Sequence, residues 1–179
     1  AYYRFESGAL TTDNSGEGHT LTAISDPAED ASGKFGGAVV LDSDDAYSHA
    51  DDEHFKPTGY YSMGCWFKTS AAAEKTMFQS FSVNTKRAGI ELMMSVTTGY
   101  VKLRTGKNTG TSENNDWIKI ENTTNMADGA WHFVVATWDG STSHSNVHIY
   151  VNGTEASYDS GTNGSGLYSD ASGDYFIGN

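Results

Sequence analysis

The sequence predicts an all-β protein built as a two-sheet antiparallel jelly-roll sandwich. Short apolar or alternating runs recur along the 179 residues, and each run closes at Gly, Asn, Asp or Ser. The composition agrees, because 20 glycines, 10 tyrosines and many Ser and Thr residues favour short strands over helices. No helical pattern separates the runs, which excludes a parallel α/β design. The length fits a single domain over residues 1–179.

About twelve strands are predicted from these runs. In chain order they are "YYRFE", "HTLTAI", "GGAVVL", "YYSMGCWFK", "KTMFQSFSV", "GIELMMSV", "YVKLRT", "DWIKI", "WHFVVATW", "NVHIYV", "TEASY" and "DYFIG". Only "SAAAEK", residues 70–75, indicates a helical turn. The polar segments 104–116 and 159–173 lack apolar anchors, so we expect surface loops there.

The sharpest local prediction is a hairpin in "NVHIYVNGTEASY". Asn152 and Gly153 lie between two alternating runs. Both residue types tolerate the positive φ angles that a type I′ turn requires. We therefore expect two antiparallel strands joined at this pair.

The run "WHFVVATW", residues 131–138, is apolar on both faces. Alternation places Trp131 and Phe133 on one face, and His132 and Trp138 on the other. A strand of this kind is typical of the centre of a sheet, where His132 would hydrogen-bond a neighbouring strand. The alternative is a catalytic histidine, which is recognised by a geometry that a sequence does not show.

Charge and cysteine content exclude several functions. The net charge of −12 and the pI near 4.7 would repel nucleic acid and anionic lipid, whereas cations and neutral ligands fit better. No run approaches the roughly 18 apolar residues of a membrane span, so we expect no membrane insertion. The single Cys65 excludes an internal disulfide and a cysteine-rich zinc site, and we expect it to be a small buried apolar residue.

Calcium is the cofactor that the acidic loops bring into question. In "TDNSGEGHT", Asp13 and Asn14 precede a glycine-containing turn that could present several oxygens to calcium, although an Asx-turn without metal explains the same residues. "DSDDAYSHADDE", residues 42–53, has an EF-hand-like spacing but carries Tyr47 where that loop needs glycine. We interpret this second segment as a solvated acidic loop.

The sequence favours ligand binding over catalysis. No pair of carboxylates occurs at the spacing that glycoside hydrolysis needs, and Glu91 has no acidic partner two or four residues away. Sugar binding requires only an aromatic face with polar groups beside it. The candidate ligand site consists of Trp117 and the residues before it, Asn114, Asn115 and Asp116. A tryptophan that covers a sheet edge is the alternative.

Six segments, in order, resemble the concanavalin A-like, laminin G-type jelly-roll domains: "YYRFESGALTTDNSGEGHTLT", "GKFGGAVVLDSDDAY", "YYSMGCWFKT", "DGAWHFVVATWDG", "VHIYVNG" and "DYFIGN". The resemblance covers nearly the whole chain. It implies a concave sheet face, often a calcium ion, and recognition of carbohydrate or protein instead of catalysis. Trp66, Trp131 and His132 match framework positions, and Asp13 matches an acidic position that often contributes to the calcium site.

The end of the sequence departs from that family. Relatives continue past the "IGN" motif into a further strand, whereas this sequence ends at Asn179. We therefore expect the last strand to be missing or supplied from outside, which would leave an unpaired edge for association.

These observations predict a non-catalytic carbohydrate-recognition module of a larger surface or extracellular protein. Its partners would be a glycan or glycoprotein, and other protein subunits through an exposed sheet edge. A structural or interaction module of a virion (decoration, fibre or tail) or of a cell-surface assembly is the alternative. A glycoside hydrolase or lyase on the same fold is the third hypothesis.

Overall fold

The regular structure consists almost entirely of antiparallel strands. The computed structural model describes residues 1–50, 55, 59–81, 89–106, 117–164 and 173–178. Within these residues the strands are β1 Thr22–Ile24, β2 Ala28–Gly33, β3 Gly36–Val40, β4 Ala46–His49, β5 Tyr61–Lys68, β6 Lys75–Phe81, β7 Gly89–Met94, β8 Val101–Gly106, β9 Trp117–Asn122, β10 Trp131–Trp138, β11 Val147–Val151, β12 Thr154–Glu155, β13 Tyr158–Thr162 and β14 Tyr175–Ile177. One 3-10 turn, His144–Asn146, precedes β11.

The strands form two main sheets and a separate hairpin. The larger sheet has the order β1-β4-β14-β6-β7-β8-β9-β13, the smaller sheet has the order β12-β11-β10-β5, and β2 pairs with β3. Every described strand pair is antiparallel. The predicted all-β sandwich is confirmed.

The core lies between the two main sheets. Ile90, Leu92 and Leu103 of the larger sheet are buried in one apolar cluster with Val134 and Trp138 of the smaller sheet. Burial of such side chains contributes about 1.5–3 kcal/mol each relative to full exposure. The hydrophobic effect therefore holds the sheets face to face.

Strand β10 confirms the interpretation of "WHFVVATW". It lies between β11 and β5, and its residues alternate strictly between half-buried and buried. His132 is on the buried face, where its Nε2 lies 2.9 Å from Asp128 Oδ1 and its Nδ1 lies 3.3 Å from Asn152 Nδ2. Both ring nitrogens are thus used to tie the strand to the segments at its end, which makes His132 a framework residue.

The predicted hairpin is also confirmed. Asn152 has φ 52° and Gly153 has φ 87°, as a type I′ turn requires. The turn joins β11 to β12, with Val151 paired to Thr154.

The acidic segment after Asp42 is not simply a solvated loop. Its centre forms β4, which pairs with β1 and β14, and both Ala46 and Tyr47 are buried. Asp45 accepts the backbone N–H groups of Asp26 and Asp42 at 3.0 and 3.3 Å. The interpretation as a solvated loop was wrong for β4, because the burial of Ala46 and Tyr47 stabilises a strand there despite the neighbouring carboxylates.

Other differences arise where backbone pairing overrides local pattern. No helical turn forms over residues 70–75, since Lys75 begins β6 and pairs with Met94. The segment expected to be a loop from residue 159 begins inside β13, which pairs with β9 across a bulge. The run "YYRFE" contributes a single bridge, Tyr3 to Asp13, instead of a strand.

Across the described ranges, no helix has both the length and the apolar character that crossing a membrane requires.

Candidate functional site

The predicted ligand residues lie at the start of β9 and before it. Trp117 is the first residue of β9 and pairs with Gly106 of β8 in the larger sheet. Asn114, Asn115 and Asp116 lie outside the described residues, as does the side chain of Trp117. This site stays a prediction.

A better-defined candidate is a cleft of about 660 Å³ at one end of the smaller sheet. Strand register builds it, because Thr137 of β10 pairs with both Ser62 of β5 and His148 of β11. These three side chains form a polar row across three strands, on the outer face. Tyr60 precedes β5 at one end of the row, and its side chain is among the most exposed large ones in the described structure, at 87%.

Hydrogen bonds fix the orientation of Asp139, which lines the cleft. Asp139, just after β10, accepts the Ser141 N–H at 2.9 Å and the Asn146 amide at 2.7 Å. The Ser141 contacts, with a smaller contribution from Asn146, hold the pKa of the Asp139 carboxyl below its usual value. Asp139 is therefore an ionised acceptor at neutral pH. The Asn146 amide also donates to Ser141 Oγ at 3.0 Å, so its orientation is fixed.

His148 is fixed from the neighbouring hairpin strand. Its Nδ1 lies 2.6 Å from Glu155 Oε1, and the Tyr158 hydroxyl donates to the same oxygen at 2.9 Å. His148, followed by Tyr158, lowers the pKa of Glu155. The imidazole thus reaches the cleft in one orientation, with Nε2 the ring nitrogen left for a ligand.

The chemistry of the cleft suits a neutral polyhydroxyl ligand. An exposed aromatic ring can cover the apolar face of a sugar, while the hydroxyl and imidazole groups of the row and the Asp139 carboxylate can hydrogen-bond its hydroxyls. Asp139 is the one carboxylate among the described residues that line it. Glycoside hydrolysis requires a second carboxyl and a general acid with a raised pKa. The pKa of Asp139 moves in the opposite direction.

Asp13, between the N-terminal segment and β1, is surrounded by a cradle of hydrogen-bond donors. Its Oδ1 accepts the N–H groups of Tyr2 and Ser15, both at 2.9 Å. Its Oδ2 accepts Ser15 Oγ at 2.8 Å and the His19 N–H at 3.1 Å, and His19 Nδ1 lies 3.2 Å away. The bond from Ser15 N–H is an Asx-turn, the alternative to calcium for this loop. These donors, with Tyr2 N–H the largest contributor, hold the pKa of Asp13 far below its usual value.

This cradle does not fit a calcium ion. Calcium takes six to eight oxygen ligands, whereas the Asp13 side chain is 1% exposed and both its oxygens already accept hydrogen bonds. Asn14 Oδ1 accepts the Arg4 N–H at 3.3 Å. Among the described residues no group of three or more His, Cys, Asp or Glu side chains could hold a metal. Calcium at Asp13 and Asn14 stays a prediction that would require these donors to be displaced.

Comparison with known proteins identifies the family and shows solved structures of similar fold. A family model described as the concanavalin A-like lectin/glucanases superfamily, of laminin G type, matches residues 41–179. The botulinum neurotoxin serotype G binding domain superposes with a TM-score of 0.60 and 16% identity, over 96% of this chain and 44% of that one. Domains LG4-5 of the mouse laminin alpha1 chain superpose with a TM-score of 0.51 and 14% identity, over 70% of this chain and 29% of that one. The chain thus spans less than half of either solved chain. No curated protein matches it in sequence.

Proposed function

Because the chain belongs to the concanavalin A-like lectin/glucanases superfamily, we propose that it is a non-catalytic carbohydrate-recognition module of a larger surface or extracellular protein. Tyr60 carries this proposal. Its ring is 87% exposed and adds little to the core, yet it stands at the end of the polar row of Ser62, Thr137 and His148. An exposed ring beside fixed hydrogen-bonding groups is the combination that sugars require.

Binding without catalysis is supported by the charge state of the cleft. The pKa values of Asp139, which lines the cleft, and of Glu155, which contacts His148 beside it, are both lowered, so neither carboxyl is prepared to donate a proton to a leaving group. One solved structure of similar fold is itself described as a binding domain. The net charge of −12 favours a neutral or cationic ligand over an anionic one. The partner in this proposal is therefore a neutral glycan or glycoprotein.

Replacing Tyr60 with alanine is expected to weaken glycan binding about tenfold, which corresponds to about 1.4 kcal/mol. The loss has a physical basis, because the ring supplies the apolar contact and leaves the core untouched. Glycan-array screening would first identify a ligand for the native protein, and isothermal titration would then compare its affinity for the variant.

Two variants make this comparison specific. Tyr60→Phe keeps the ring and should retain most of the affinity for the glycan. Tyr2→Ala removes another tyrosine, which is 57% exposed, and should leave the affinity unchanged. Equal affinity of native protein and Tyr60→Ala for a confirmed glycan would exclude the cleft as the binding site.

A structural or interaction module of a virion or cell-surface assembly is the second candidate function. One observation favours it, namely that among the described residues β5 is the last strand of the smaller sheet and pairs with β10 alone. Exposed edges of this kind pair readily with other chains.

A further inference from the structure

The outer face of the smaller sheet continues beyond the cleft as a series of rows. Directly paired residues of antiparallel strands point to the same side of a sheet, and alternate residues of one strand share a side. The polar row of the cleft is the first row. In the second row Val135 pairs with both Gly64 and Tyr150, and in the third row Phe133 pairs with Trp66. Strand register therefore aligns the cleft with an aromatic pair on one surface.

The third row forms an aromatic platform, which consists of Trp66 and Phe133. Their rings stack with centroids 5.2 Å apart and planes inclined by 27°. Trp66 is 36% exposed, whereas the opposite, inward face of β5 includes Cys65, where burial raises the pKa of the thiol to about 12. Phe35 packs edge-on against Trp66 at 5.4 Å, and Lys34 Nζ lies 4.9 Å from the centre of the same ring. The platform thus offers an apolar surface with an N–H donor beside it.

The second row keeps the path between the cleft and the platform low. Gly64 has no side chain, and an added Cβ would lie 2.6 Å from the Val134 carbonyl oxygen and 2.9 Å from Val135 Cγ2. A larger residue would therefore displace the neighbouring strand. Val135 and Tyr150, the other members of this row, are half-buried. None of the three carries a charge, so the row suits van der Waals contact with a neutral ligand.

The distance between the two aromatic ends sets the size of the ligand. Tyr60 and Trp66 are six residues apart in sequence. An extended chain rises about 3.4 Å per residue, so the two side chains are about 20 Å apart. A monosaccharide can cover one of these rings but cannot reach the other. A chain of several sugars can lie along all three rows and contact both.

A sugar chain fits this face better than a peptide does. The backbone N–H and C=O groups of β10 are used by β5 and β11 on its two sides. A peptide on the face would find side chains but no partners for its own backbone groups. The hydroxyls of a sugar chain need only the side-chain donors and acceptors that lie at the two ends. The net charge of −12 opposes an anionic chain and accommodates a neutral one.

We propose that this face binds a linear, neutral oligosaccharide, which contacts Tyr60 at one end and the aromatic platform at the other. The inference rests on the proposed function and deepens it, because it names an extended chain and not a single terminal sugar as the ligand. Once one end of the chain is bound, the other end binds at a high effective concentration. Affinity should therefore rise with chain length until both ends are contacted.

Isothermal titration with neutral chains of increasing length tests this proposal. The probes are cello-, xylo-, manno- and malto-oligosaccharides, each from disaccharide to hexasaccharide. We expect the affinity for at least one series to rise about tenfold or more between disaccharide and hexasaccharide. NMR shift changes caused by the hexasaccharide should include Trp66 and Phe133 as well as the cleft. Those caused by the disaccharide should be confined to the cleft, which holds most of the hydrogen-bonding groups.

Replacing Trp66 with alanine should remove the gain from chain length. The affinity of this variant for the hexasaccharide should fall close to that for the disaccharide. Its affinity for the disaccharide should be unchanged, which also shows that the variant is folded. Trp66→Phe keeps an aromatic ring in the platform and should retain most of the gain. Tyr2→Ala removes an exposed tyrosine outside the three rows and should leave every affinity unchanged.

Several results would overturn the inference while the cleft still binds glycan. These are equal affinity for all lengths of a chain that binds, hexasaccharide shift changes confined to the cleft, or an undiminished gain in Trp66→Ala. No binding of any probe chain would also overturn it. Failure of the proposed function would appear differently, as shift changes that avoid the cleft when a glycan identified by array is bound.

Discussion

Replacing Trp138 with alanine is expected to lower the free energy of unfolding by about 3–5 kcal/mol, or the melting temperature by about 6–20 °C. The side chain is 2% exposed and packs in the core cluster between the two sheets. Its ring also contacts Tyr61 at 5.4 Å between centroids, and its indole N–H donates to the Ser141 carbonyl at 2.8 Å. Since the Ser141 N–H also donates to Asp139, the substitution should disturb the position of Asp139 in the cleft as well.

Trp131 in the same strand provides the matched control. It lies on the half-buried outer face of β10, and Lys68 Nζ sits 5.2 Å from the centre of its ring. In chemical denaturation, Trp131→Ala should therefore lower the free energy of unfolding clearly less than Trp138→Ala does. Equal losses for both variants would contradict the assignment of the two faces of β10.

Replacing Asp13 with alanine is expected to lower the melting temperature by several degrees, to the same extent in EDTA and in calcium. The carboxylate gathers donors from Tyr2, Ser15 and His19, and so ties the N-terminal segment to the loop that precedes β1. Without it these donors lose their acceptor. Differential scanning fluorimetry in the two buffers would measure the change.

The Asn14→Ala variant distinguishes the two explanations for the role of Asp13, hydrogen bonding and calcium binding. If calcium bound at Asp13 and Asn14, both variants would lose a calcium-dependent increase in melting temperature, because a bound ion stabilises only the folded state. The hydrogen-bond cradle instead predicts a large effect for Asp13→Ala and a small one for Asn14→Ala, whose side chain accepts the Arg4 N–H at 3.3 Å. A native melting temperature that rises with calcium and falls with EDTA would favour the ion.

The stabilisation that Asp13 provides should depend on pH, and the direction of that dependence follows from its pKa. The folded-state pKa of Asp13 is far below its unfolded value of about 3.9. Stability from this group is therefore fully present above about pH 4 and is lost as the pH falls toward the folded-state pKa. The difference in melting temperature between native protein and Asp13→Ala should be constant from pH 7 to 5 and should narrow below about pH 4.

The parts of the fold that the sequence predicts are those with a strong local signal. Strand β10 has eight residues of strict alternation, and Asn152 and Gly153 adopt the positive φ angles that their types tolerate. Strands β2 and β13 have no such signal. Both are polar, and they exist because β3 and β9 offer backbone partners. The partner of β13 is distant in sequence, so that pairing is not encoded in a window of neighbouring residues, whereas β2 and β3 are joined by a short turn.

The candidate cleft illustrates the same limit for function. Tyr60 is far from Thr137 and His148 in sequence, and only the register of β5, β10 and β11 brings the three to one surface. The available signal was Tyr60 at the start of the predicted strand "YYSMGCWFK", where alternation places it on the same face as Ser62. The predicted site at Trp117 instead rested on residues adjacent in sequence, and it belongs to the other sheet.

The most direct test of glycan recognition at the cleft is an NMR titration of the native protein with a glycan identified by array. The cleft predicts that the largest shift changes occur at Tyr60, Ser62, Thr137, Asp139, Asn146 and His148, with the core face of β7 unaffected. Changes concentrated at residues 114–121 would move the site to Trp117. Changes that avoid the cleft altogether would contradict the proposed function of this surface.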